Sequence, residues 1–322
     1  MNIAIIGAGK FGTAIASIAA QNKHAVTLYV RDKIQAEEIN KQHTNSKIFP
    51  KIKLANQIKA VCGLDKTLNK ADLIFLAVPG NSLPSVLQNI KPFAKDAHFI
   101  NLSKGMNEHT QEISNEVFKR ILGKEVAYGV LSGPNFAHEI IEREPTSSIL
   151  ASQNKKILEK GKRCLQCKFF EIYESTDVVG VEICGSGKNV IAIASGINKS
   201  LGLGQNSRAA LFTKGFQELG NLLESLGGKK ETMLQVSGIG DLFLTATSHE
   251  SRNYQLGLLL GKGFPLKKAL EKIQSSVEGV QTVNTFHKLA KTHHIKMPLV
   301  ETLYQILHGK KPTHPMKELK RK

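Results

Sequence analysis

The sequence predicts an α/β protein in which an N-terminal, doubly wound parallel sheet is followed by a C-terminal all-α domain. The first half alternates short apolar runs with helical periodicity, which indicates a parallel sheet covered on both faces. A glycine-rich turn, residues 7–12, directly follows the first apolar run. After about Asp177 the strand pattern stops and only helical periodicity remains. We therefore expect two domains, residues 1–177 and 178–322.

Short apolar runs predict the strands, because a buried parallel strand shows a continuous apolar stretch bounded by turn residues. These runs are 3–6, 26–30, 73–78, 98–102, 126–131, 148–151 and 169–173. In the first half, apolar residues at helical spacing predict a helix directly after the glycine turn and a second one over 33–41. In the second half the same spacing predicts helices over 178–200, 207–226, 254–261, 266–273, 280–291 and 298–307.

Gly7, Gly9 and Gly12 form a GxGxxG pattern between a predicted strand and a predicted helix. The first glycine makes a tight turn, the second lets backbone N–H groups approach a pyrophosphate, and the third lets the helix pack on the strand. Unpaired N–H groups and the helix dipole favour an anion there. The pattern predicts a Rossmann-like domain that binds a dinucleotide. The alternative is a tight strand–helix turn that binds nothing.

The end of the second strand bears on which dinucleotide is bound. Arg31, with Lys33 or Lys10 nearby, is the residue type that accommodates the 2′-phosphate of NADP. Asp32 follows at once and is the type that hydrogen-bonds the ribose 2′-hydroxyl of NAD. The sequence therefore favours NADPH slightly and leaves NADH open.

Composition excludes several classes of protein. No apolar run approaches the roughly 18–20 residues of a membrane span, so no integral membrane segment is expected. A strand pattern begins within two residues of Met1, which predicts no secretory signal. The chain has 4 cysteines, too few for a disulfide framework, and we expect a reduced, cytoplasmic protein. Cys164 and Cys167 form one isolated CxxC, interpreted as core and surface thiols, so no metal site is predicted.

The formal net charge of +17 is the compositional outlier. The lysines are scattered, and the chain has no Trp to interleave with them. Such a surface attracts small phosphorylated anions, so we expect a small phosphorylated substrate and no nucleic acid. The alternative is a redox-sensing, nucleic-acid-binding regulator, which needs a helix-turn-helix or winged domain that the sequence does not show. The basic tail from Lys310 onward is interpreted as a solvated end.

Two lysines are candidates for chemistry. Lys104 follows the predicted strand 98–102, and ligands bind beyond the carboxyl ends of parallel strands; the alternative is an exposed loop lysine. Lys188 lies on a small, apolar face of helix 178–200, where it either reaches water or lines a cavity. Partial burial lowers the pKa of a lysine toward the range useful for proton transfer. The same helix contains glycines that we interpret as admitting a close neighbour, at 180, 185, 187 and 196.

A third group of polar residues lies within the stretch 238–253. If this stretch were one helix, four side chains would form a polar stripe: Asp241, Thr245, Ser248 and Arg252. Arg252 and Asn253 would then form a fork for a phosphate, because Arg binds phosphate bidentately and Asn adds a donor. The alternative is a surface Asp–Arg pair of little energetic weight.

Together, these motifs resemble those of the bacterial NAD(P)-dependent glycerol-3-phosphate dehydrogenases, and the resemblance runs nearly end to end. Several separated motifs in the right order are more specific than any one. The segments that carry the resemblance are 7–9, 12–13, 103–105, 132–137, 179–182, 188–192, 206–211, 238–242, 251–253 and 277–279.

The resemblance implies interconversion of dihydroxyacetone phosphate and sn-glycerol 3-phosphate by hydride transfer with NAD(P)H, supplying glycerol phosphate for phospholipid synthesis. It implies that Lys188 donates and accepts the proton, and Asp241, with Thr245, would orient this lysine. The implied substrate contacts are Lys104, Gly133, Asn135, Lys188, Asp241, Ser251, Arg252 and Asn253. The implied cofactor contacts, with the three glycines of the turn, are Lys10, Phe11, Arg31, Lys104, Ala137, Arg252 and Glu278.

The chain departs from the family pattern at a few positions. Lys10 and Phe11 stand where the family usually has Ser-Trp, which bears on cofactor preference. Asn135 replaces a small hydroxyl residue, and no departure removes a charged group from the implied substrate site. A dehydrogenase of similar layout that acts on a β-hydroxyacid is the alternative enzyme. The oligomeric state stays open, with a homodimer among the alternatives.

Overall fold

The computed structural model describes residues 1–94, 96–107 and 110–312, so the basic tail beyond residue 312 lies outside the described residues. The chain divides into two compact units. The first comprises Met1–Ser103 and Ser114–Val178, and the second comprises Lys104–Ile113 and Val179–Lys322. The expected boundary after residue 177 lies one residue from this division. Nothing in the sequence pattern indicates that residues 104–113 join the second unit.

An eight-stranded sheet forms the centre of the first unit, and its strand order is β3-β2-β1-β4-β5-β6-β7-β8. The first six strands follow the order of a doubly wound dinucleotide-binding fold. The strands are β1 Asn2–Ile6, β2 Ala25–Tyr29, β3 Ile58–Val61, β4 Leu73–Leu76, β5 His98–Asn101, β6 Ala127–Ser132, β7 Thr146–Ser152 and β8 Phe170–Ser175.

Two features of this sheet differ from the prediction. β3 was not predicted, because it has four residues and alternates buried Ile58 and Ala60 with more exposed neighbours instead of forming an apolar run. β7 pairs antiparallel with β6, whereas every other pairing is parallel. The connection between them contains a helix of only 5 residues, about 7.5 Å long. This helix is too short to carry the chain back along the 6 residues of β6, about 20 Å. The prediction of a wholly parallel sheet was therefore wrong at β7.

The helices of the first unit pack on this sheet. α1 forms because its apolar residues recur at helical spacing, and Ala14, Ile15, Ile18 and Ala19 are buried against the strands. The helices are α1 Lys10–Gln21, α2 Lys33–Gln42, α3 Leu64–Leu68, α4 Leu83–Ile90, α5 Ser114–Leu122, α6 Ala137–Ile141 and α7 Lys155–Leu165. The Rossmann-like prediction for this part of the chain is confirmed.

In the second unit the described residues form helices and turns. The helices are α8 Val178–Ser200, α9 Gln205–Ser225, α10 Asp241–Thr247, α11 Arg252–Gly261, α12 Leu266–Ile273, α13 Glu278–Thr292 and α14 Pro298–Leu307. α8 is the one described helix with the length and hydropathy of a membrane span, and 94% of its most apolar window is buried inside the fold. α8 is therefore the central core helix of this unit.

One glycine of α8 shows why the helix carries this residue type. A Cβ at Gly196 would lie 2.9 Å from the Cα of Gly257 and would also clash with the carbonyl oxygen of Tyr254. The close neighbour expected at this helix is thus the backbone of α11. This packing fixes α11, and with it the residues at its N-terminus, against the helix that carries Lys188.

Candidate active site

The glycine turn lies between β1 and α1, where the strand order of the sheet reverses. Ligands bind at such a switch point, beyond the carboxyl ends of the strands. A Cβ at Gly7 would clash with the carbonyl oxygen of Ala77, and Gly7 has a φ of +116°. A Cβ at Gly12 would clash with the carbonyl oxygen of Gly7. These two glycines are therefore required by the packing of the turn itself.

Gly9 differs from its two partners in the motif. A Cβ at Gly9 would meet no heavy atom within 4 Å, so the turn leaves an open cradle beside the backbone. No side chain caps the N-terminus of α1, and the first N–H groups of a helix are the ones that an anion can satisfy. The residues present at this turn fit a dinucleotide.

A pair of substitutions distinguishes these two kinds of glycine. We expect Gly9→Ala to keep the melting temperature of the wild type and to weaken dinucleotide binding about 10- to 100-fold, the range of one lost charge-assisted hydrogen bond. We expect Gly12→Ala to destabilise the fold by about 1–3 kcal/mol, because the added methyl overpacks the turn. Thermal melting and titration calorimetry with NADH and NADPH measure both effects. Equal destabilisation by both substitutions would contradict this division of roles.

A buried amide network supports the turn from behind. The side chain of Asn45 is fully buried, and its Nδ2 donates to the carbonyl of Ala8 at 3.2 Å and to Oγ1 of Thr13 at 3.0 Å. Gln35 Nε2 donates to Asn45 Oδ1 at 2.9 Å. The sequence does not indicate this network, because Asn45 lies in an irregular segment distant in sequence from the turn.

The residues expected to select the cofactor lie around the same end of the sheet. Arg31 directly follows the loop after β2 and is exposed, as is Lys10 at the start of α1, whereas Phe11 is half-buried. Asp32 is the N-cap of α2, and its Oδ1 accepts a hydrogen bond from the N–H of Ile34 at 2.9 Å. One carboxylate oxygen of Asp32 is thus engaged by its own helix.

The loop after β6 carries three further residues of the implied site, all in the first unit. Asn135 is buried, and its Nδ2 donates to Oγ of Ser148 at 3.1 Å. A Cβ at Gly133 would lie 2.9 Å from the Cα of Ser148. Ala137 is the first residue of α6. These contacts bind the loop to β7, which gives Gly133 and Asn135 a structural role in addition to the implied one.

In the second unit, Lys188 and Lys104 share one carboxylate. Lys188 Nζ donates to Oδ1 of Asp241 at 2.5 Å, and Lys104 Nζ donates to Oδ2 at 3.3 Å. Asp241 is fully buried, and only 9% of Lys188 is exposed. The Lys188 side chain therefore ends on Asp241 and does not extend into solvent.

The electrostatics of this cluster destabilise the ammonium form of Lys188 relative to that of an ordinary lysine. Burial, together with the second ammonium of Lys104, lowers the pKa of Lys188 to about 7, although Asp241 opposes the shift. A lysine in this range can exchange a proton near neutral pH, which an ordinary lysine with a pKa of 10.5 cannot do. The cluster therefore has the properties of a general acid and base.

Thr245 stands one helical turn after Asp241 in α10. Its hydroxyl donates to the backbone carbonyl of Asp241 at 2.7 Å and lies 3.4 Å from Oδ1. The residues that precede α10 form a π-helical turn, Val236–Gly240, a geometry that is frequent at functional sites. Thr245 thus holds the segment from which the carboxylate projects.

The polar stripe expected over 241–253 does not form, because the helix breaks. α10 ends at Thr247, and α11 begins at Arg252 with Ser251 as its N-cap, whose Oγ accepts from the N–H of Tyr254 at 3.2 Å. Ser251, Arg252 and Asn253 consequently lie at a helix N-terminus, where N–H groups and the helix dipole favour an anion. The break therefore gives these residues a helix N-terminus, which one continuous helix would not supply.

Two contacts fix the side chains at this helix start. Arg252 is exposed, and its Nη1 donates to Oγ of Ser275 at 2.7 Å. Asn253 is buried, its Nδ2 donates to Oδ1 of Asn189 at 2.8 Å, and its Oδ1 accepts from the N–H of Gly279 at 2.9 Å. Asn253 is therefore oriented by its neighbours, and only the second hydrogen of its amide is left to meet a ligand.

Glu278 and Asn189 complete the cluster. Burial raises the pKa of the half-buried Glu278 carboxyl, and three cations act in the opposite direction: Arg252, Lys104 and Lys188. The Nδ2 of Asn189 is buried without a hydrogen-bond partner. The sequence indicates no role for Asn189, which directly follows Lys188. Because its buried amide group has a donor without a partner and also contacts Asn253, we assign Asn189 to the candidate site. The second unit thus brings together Lys104, Lys188, Asn189, Asp241, Thr245, Ser251, Arg252, Asn253 and Glu278.

The chain matches two parts of one family. Residues 2–158 match the N-terminal part of NAD-dependent glycerol-3-phosphate dehydrogenase, and residues 177–318 match its C-terminal part. Glycerol-3-phosphate dehydrogenase (NAD(P)+) of Clostridium botulinum (strain Alaska E43 / Type E3) is 37% identical over 319 residues, which cover 98% of this chain and 96% of that protein. The protein of the same name from Thermoanaerobacter sp. (strain X514) is 39% identical over 97% of this chain and 94% of its own length.

Structural comparison agrees with these relatives. The crystal structure of glycerol-3-phosphate dehydrogenase from Coxiella burnetii superposes with a TM-score of 0.93 at 36% sequence identity, covering 100% of this chain and 99% of that one. The same family is found by the matches to both halves of the chain, by the full-length relatives and by the fold. The chain belongs to the NAD-dependent glycerol-3-phosphate dehydrogenase family.

Proposed function

We propose that this protein interconverts dihydroxyacetone phosphate and sn-glycerol 3-phosphate with a nicotinamide dinucleotide, supplying glycerol phosphate for phospholipid synthesis. The observation that carries the proposal is the buried Lys188–Asp241–Lys104 cluster, next to a helix start suited to a phosphate. The family match supports it and favours it over a β-hydroxyacid dehydrogenase.

The proton transfer is the task of Lys188 in this proposal. When bound, the dinucleotide supplies or accepts the hydride. In the direction of reduction, the ammonium of Lys188 polarises the ketone oxygen and then gives it a proton. In the direction of oxidation, the neutral amine of Lys188 takes the proton from the hydroxyl. Asp241 holds the Nζ atom in place through both states.

Binding of the phosphate positions the reacting carbon. Arg252 supplies a guanidinium at the N-terminus of α11, and Asn253 supplies one amide hydrogen. Lys104, with 18% of its side chain exposed, adds a second cation on the same Asp241 carboxylate as Lys188. Binding energy from a non-reacting phosphate is well suited to holding the ketone in reactive geometry.

A substrate panel tests the proposed function directly. Oxidation of NADH and of NADPH is followed by absorbance with dihydroxyacetone phosphate, unphosphorylated dihydroxyacetone and a set of β-keto acids. We expect turnover with dihydroxyacetone phosphate, and a much lower kcat/KM when the phosphate is missing. Turnover of a β-keto acid but not of dihydroxyacetone phosphate would overturn the proposal, as would salt-sensitive DNA binding without any hydride transfer.

The pKa of Lys188 gives the reaction a definite pH dependence. Ketone reduction needs the ammonium, so kcat/KM for dihydroxyacetone phosphate should fall about tenfold per pH unit above about 7. Oxidation of glycerol phosphate needs the amine, so its kcat/KM should rise only about fourfold from pH 6.5, mostly below pH 8, and then level off. The measurement is made above pH 6.5, because the substrate's phosphate group itself titrates at about pH 6. Profiles in both directions that are flat from pH 6.5 to 9 would contradict the assignment.

We infer NADPH as the preferred cofactor. Arg31 is exposed beside the turn, and one oxygen of Asp32 is occupied by the cap of α2. We expect Arg31→Ala to raise the KM for NADPH about 10- to 100-fold and to change the KM for NADH little, because only NADPH carries a 2′-phosphate. Lys41→Ala, a charge change in the last turn of α2, is the matched control. An equal rise in the KM for NADPH and for NADH would show that Arg31 does not bind the 2′-phosphate.

The location and assembly of the protein are further parts of the proposal. The described chain contains four free cysteines, which supports a reduced, cytoplasmic location. Three large apolar side chains on one short segment are exposed: Leu234, Ile239 and Phe243. They support a homodimer, and analytical ultracentrifugation would reveal a monomer if this inference is wrong.

A further inference from the structure

The first unit contains a cavity at the opposite end of α1 from the glycine turn. It has a volume of about 450 Å³, within the range of small-molecule sites. The part of α1 that lines the cavity begins at Ser17 and includes Gln21, the last residue of the helix. Because a helix rises about 1.5 Å per residue, Gln21 lies about 16 Å along the axis from Lys10, the first residue of α1. The proposed catalytic function does not use this cavity.

The floor of the cavity is apolar. It is formed by side chains from α1, from the segment before β3, from α6 and from the residue before β8: Ile18, Ile52, Leu54, Ile140, Ile141 and Phe169. Several of these side chains are only partly covered; Ile52, Ile141 and Phe169 are half-buried. An apolar floor of this size is suited to a hydrocarbon chain.

The rim of the cavity is basic. Lys23, Lys53 and Arg143 line it, and none of the described lining residues is acidic. Glu142 and Glu144 flank Arg143 in the chain but do not line the cavity. All three cations are exposed, and Lys53 Nζ donates to the backbone carbonyl of Gln42 at 3.0 Å, not to a carboxylate. The rim therefore carries positive charge that a ligand can neutralise.

Helix ends place two of these cations. α1 ends at Gln21 and α6 at Ile141. Lys23 and Arg143 follow the two ends with φ values of +62° and +65°. This left-handed position after a helix is usually occupied by Gly or Asn. The backbone thus turns sharply at both sites, and both basic side chains stand at the same cavity.

We propose that this cavity binds an acyl-chain anion, with the chain on the apolar floor and a carboxylate or phosphate head between Lys23, Lys53 and Arg143. The apolar floor selects the chain, and the rim selects the negative head. Neither a neutral chain nor a small inorganic anion meets both conditions. The site is separate from the glycine turn and from the Lys188 cluster, so its occupancy can be measured whatever substrate the enzyme takes.

Isoleucine methyl NMR on the full chain tests the proposal, with decanoate and decyl phosphate as probes. We expect saturable shifts of the Ile52 and Ile141 methyl groups, with the Ile191 methyl of the second unit unchanged. Hexanoate should bind more than tenfold more weakly, because fewer methylenes are buried. Decyltrimethylammonium should cause no saturable shift, because its head has the wrong charge. Unequal binding by decanoate and decyl phosphate identifies the preferred head.

Variants that keep the backbone intact make the test specific. Asn tolerates the left-handed conformation, so Lys23→Asn and Arg143→Asn remove charge without straining the fold. Each should weaken decanoate binding about three- to fivefold, the range of one exposed ion pair. Lys70→Asn is the matched control, since Lys70 is an exposed lysine at a φ of +58° outside the cavity. Absence of saturable binding, or equal weakening by Lys70→Asn, would overturn the proposal.

Discussion

Replacing Lys188 by methionine or alanine is expected to lower kcat about 10²- to 10⁴-fold, the usual contribution of a general acid or base. Dinucleotide affinity should be unchanged, because Lys188 is not among the implied cofactor contacts and most of those contacts belong to the other unit of the chain. Asp241 keeps Lys104 as a partner at 3.3 Å, so its buried carboxylate is not left without a cation. We therefore expect the variants to fold. Steady-state kinetics measure kcat, calorimetry with NADPH measures dinucleotide affinity, and thermal melting shows whether the variants fold.

The matched control for Lys188 is on the same helix. Lys199 is exposed in the last turn of α8, and Lys199→Met should leave kcat within about twofold of the wild type, as surface changes usually do. A Lys188 variant that folds, binds dinucleotide and keeps near-normal turnover would remove Lys188 from the mechanism.

Replacing Arg252 by alanine is expected to raise the KM for dihydroxyacetone phosphate about 10- to 100-fold, which corresponds to about 1.5–3 kcal/mol for a charge-assisted hydrogen bond. The KM of Arg252→Lys for dihydroxyacetone phosphate should lie between those of the wild type and Arg252→Ala, because lysine keeps the charge but cannot make the bidentate contact. The same variants should leave kcat/KM for unphosphorylated dihydroxyacetone unchanged. This second substrate separates loss of a phosphate contact from general damage to the site.

A structural role of Arg252 needs its own control. Arg252 donates to Ser275 at 2.7 Å, so its removal also frees the segment before α13. Ser275→Ala removes this contact and leaves the guanidinium in place. If Ser275→Ala raised the KM for the phosphorylated substrate as much as Arg252→Ala does, the contact to Ser275, and not to phosphate, would explain the effect.

Local sequence signals predicted much of the fold. The turn at residues 7–12 is recognisable because each glycine has a separate physical reason and the flanking elements are strongly apolar. Helix α8 was predicted with its observed bounds, since it is apolar around most of its circumference. β3 and the direction of β7 were not predicted, because pairing of a short strand and the path of a connection depend on the rest of the sheet.

The candidate site shows the same division between local and distant information. Lys188 is conspicuous as a charge on an apolar helix face, and Arg252 with Asn253 as a phosphate-type pair. The sequence did not predict that Lys104 and Lys188 meet on one carboxylate, because Lys104 and Asp241 are 137 positions apart. Nor did it predict that Asn189 and Gly279 orient Asn253. Such contacts arise only when the helices pack.

We expect Lys188 to exchange a proton near neutral pH inside its buried cluster. An NMR titration of lysine side chains labelled at Cε measures this exchange, with Lys188→Met used to assign the signal. The midpoint for Lys188 should lie near 7, in a range where exposed lysines stay charged. A midpoint near the ordinary 10.5 would contradict it, since Lys188 would then remain an ammonium throughout and could not act as the base.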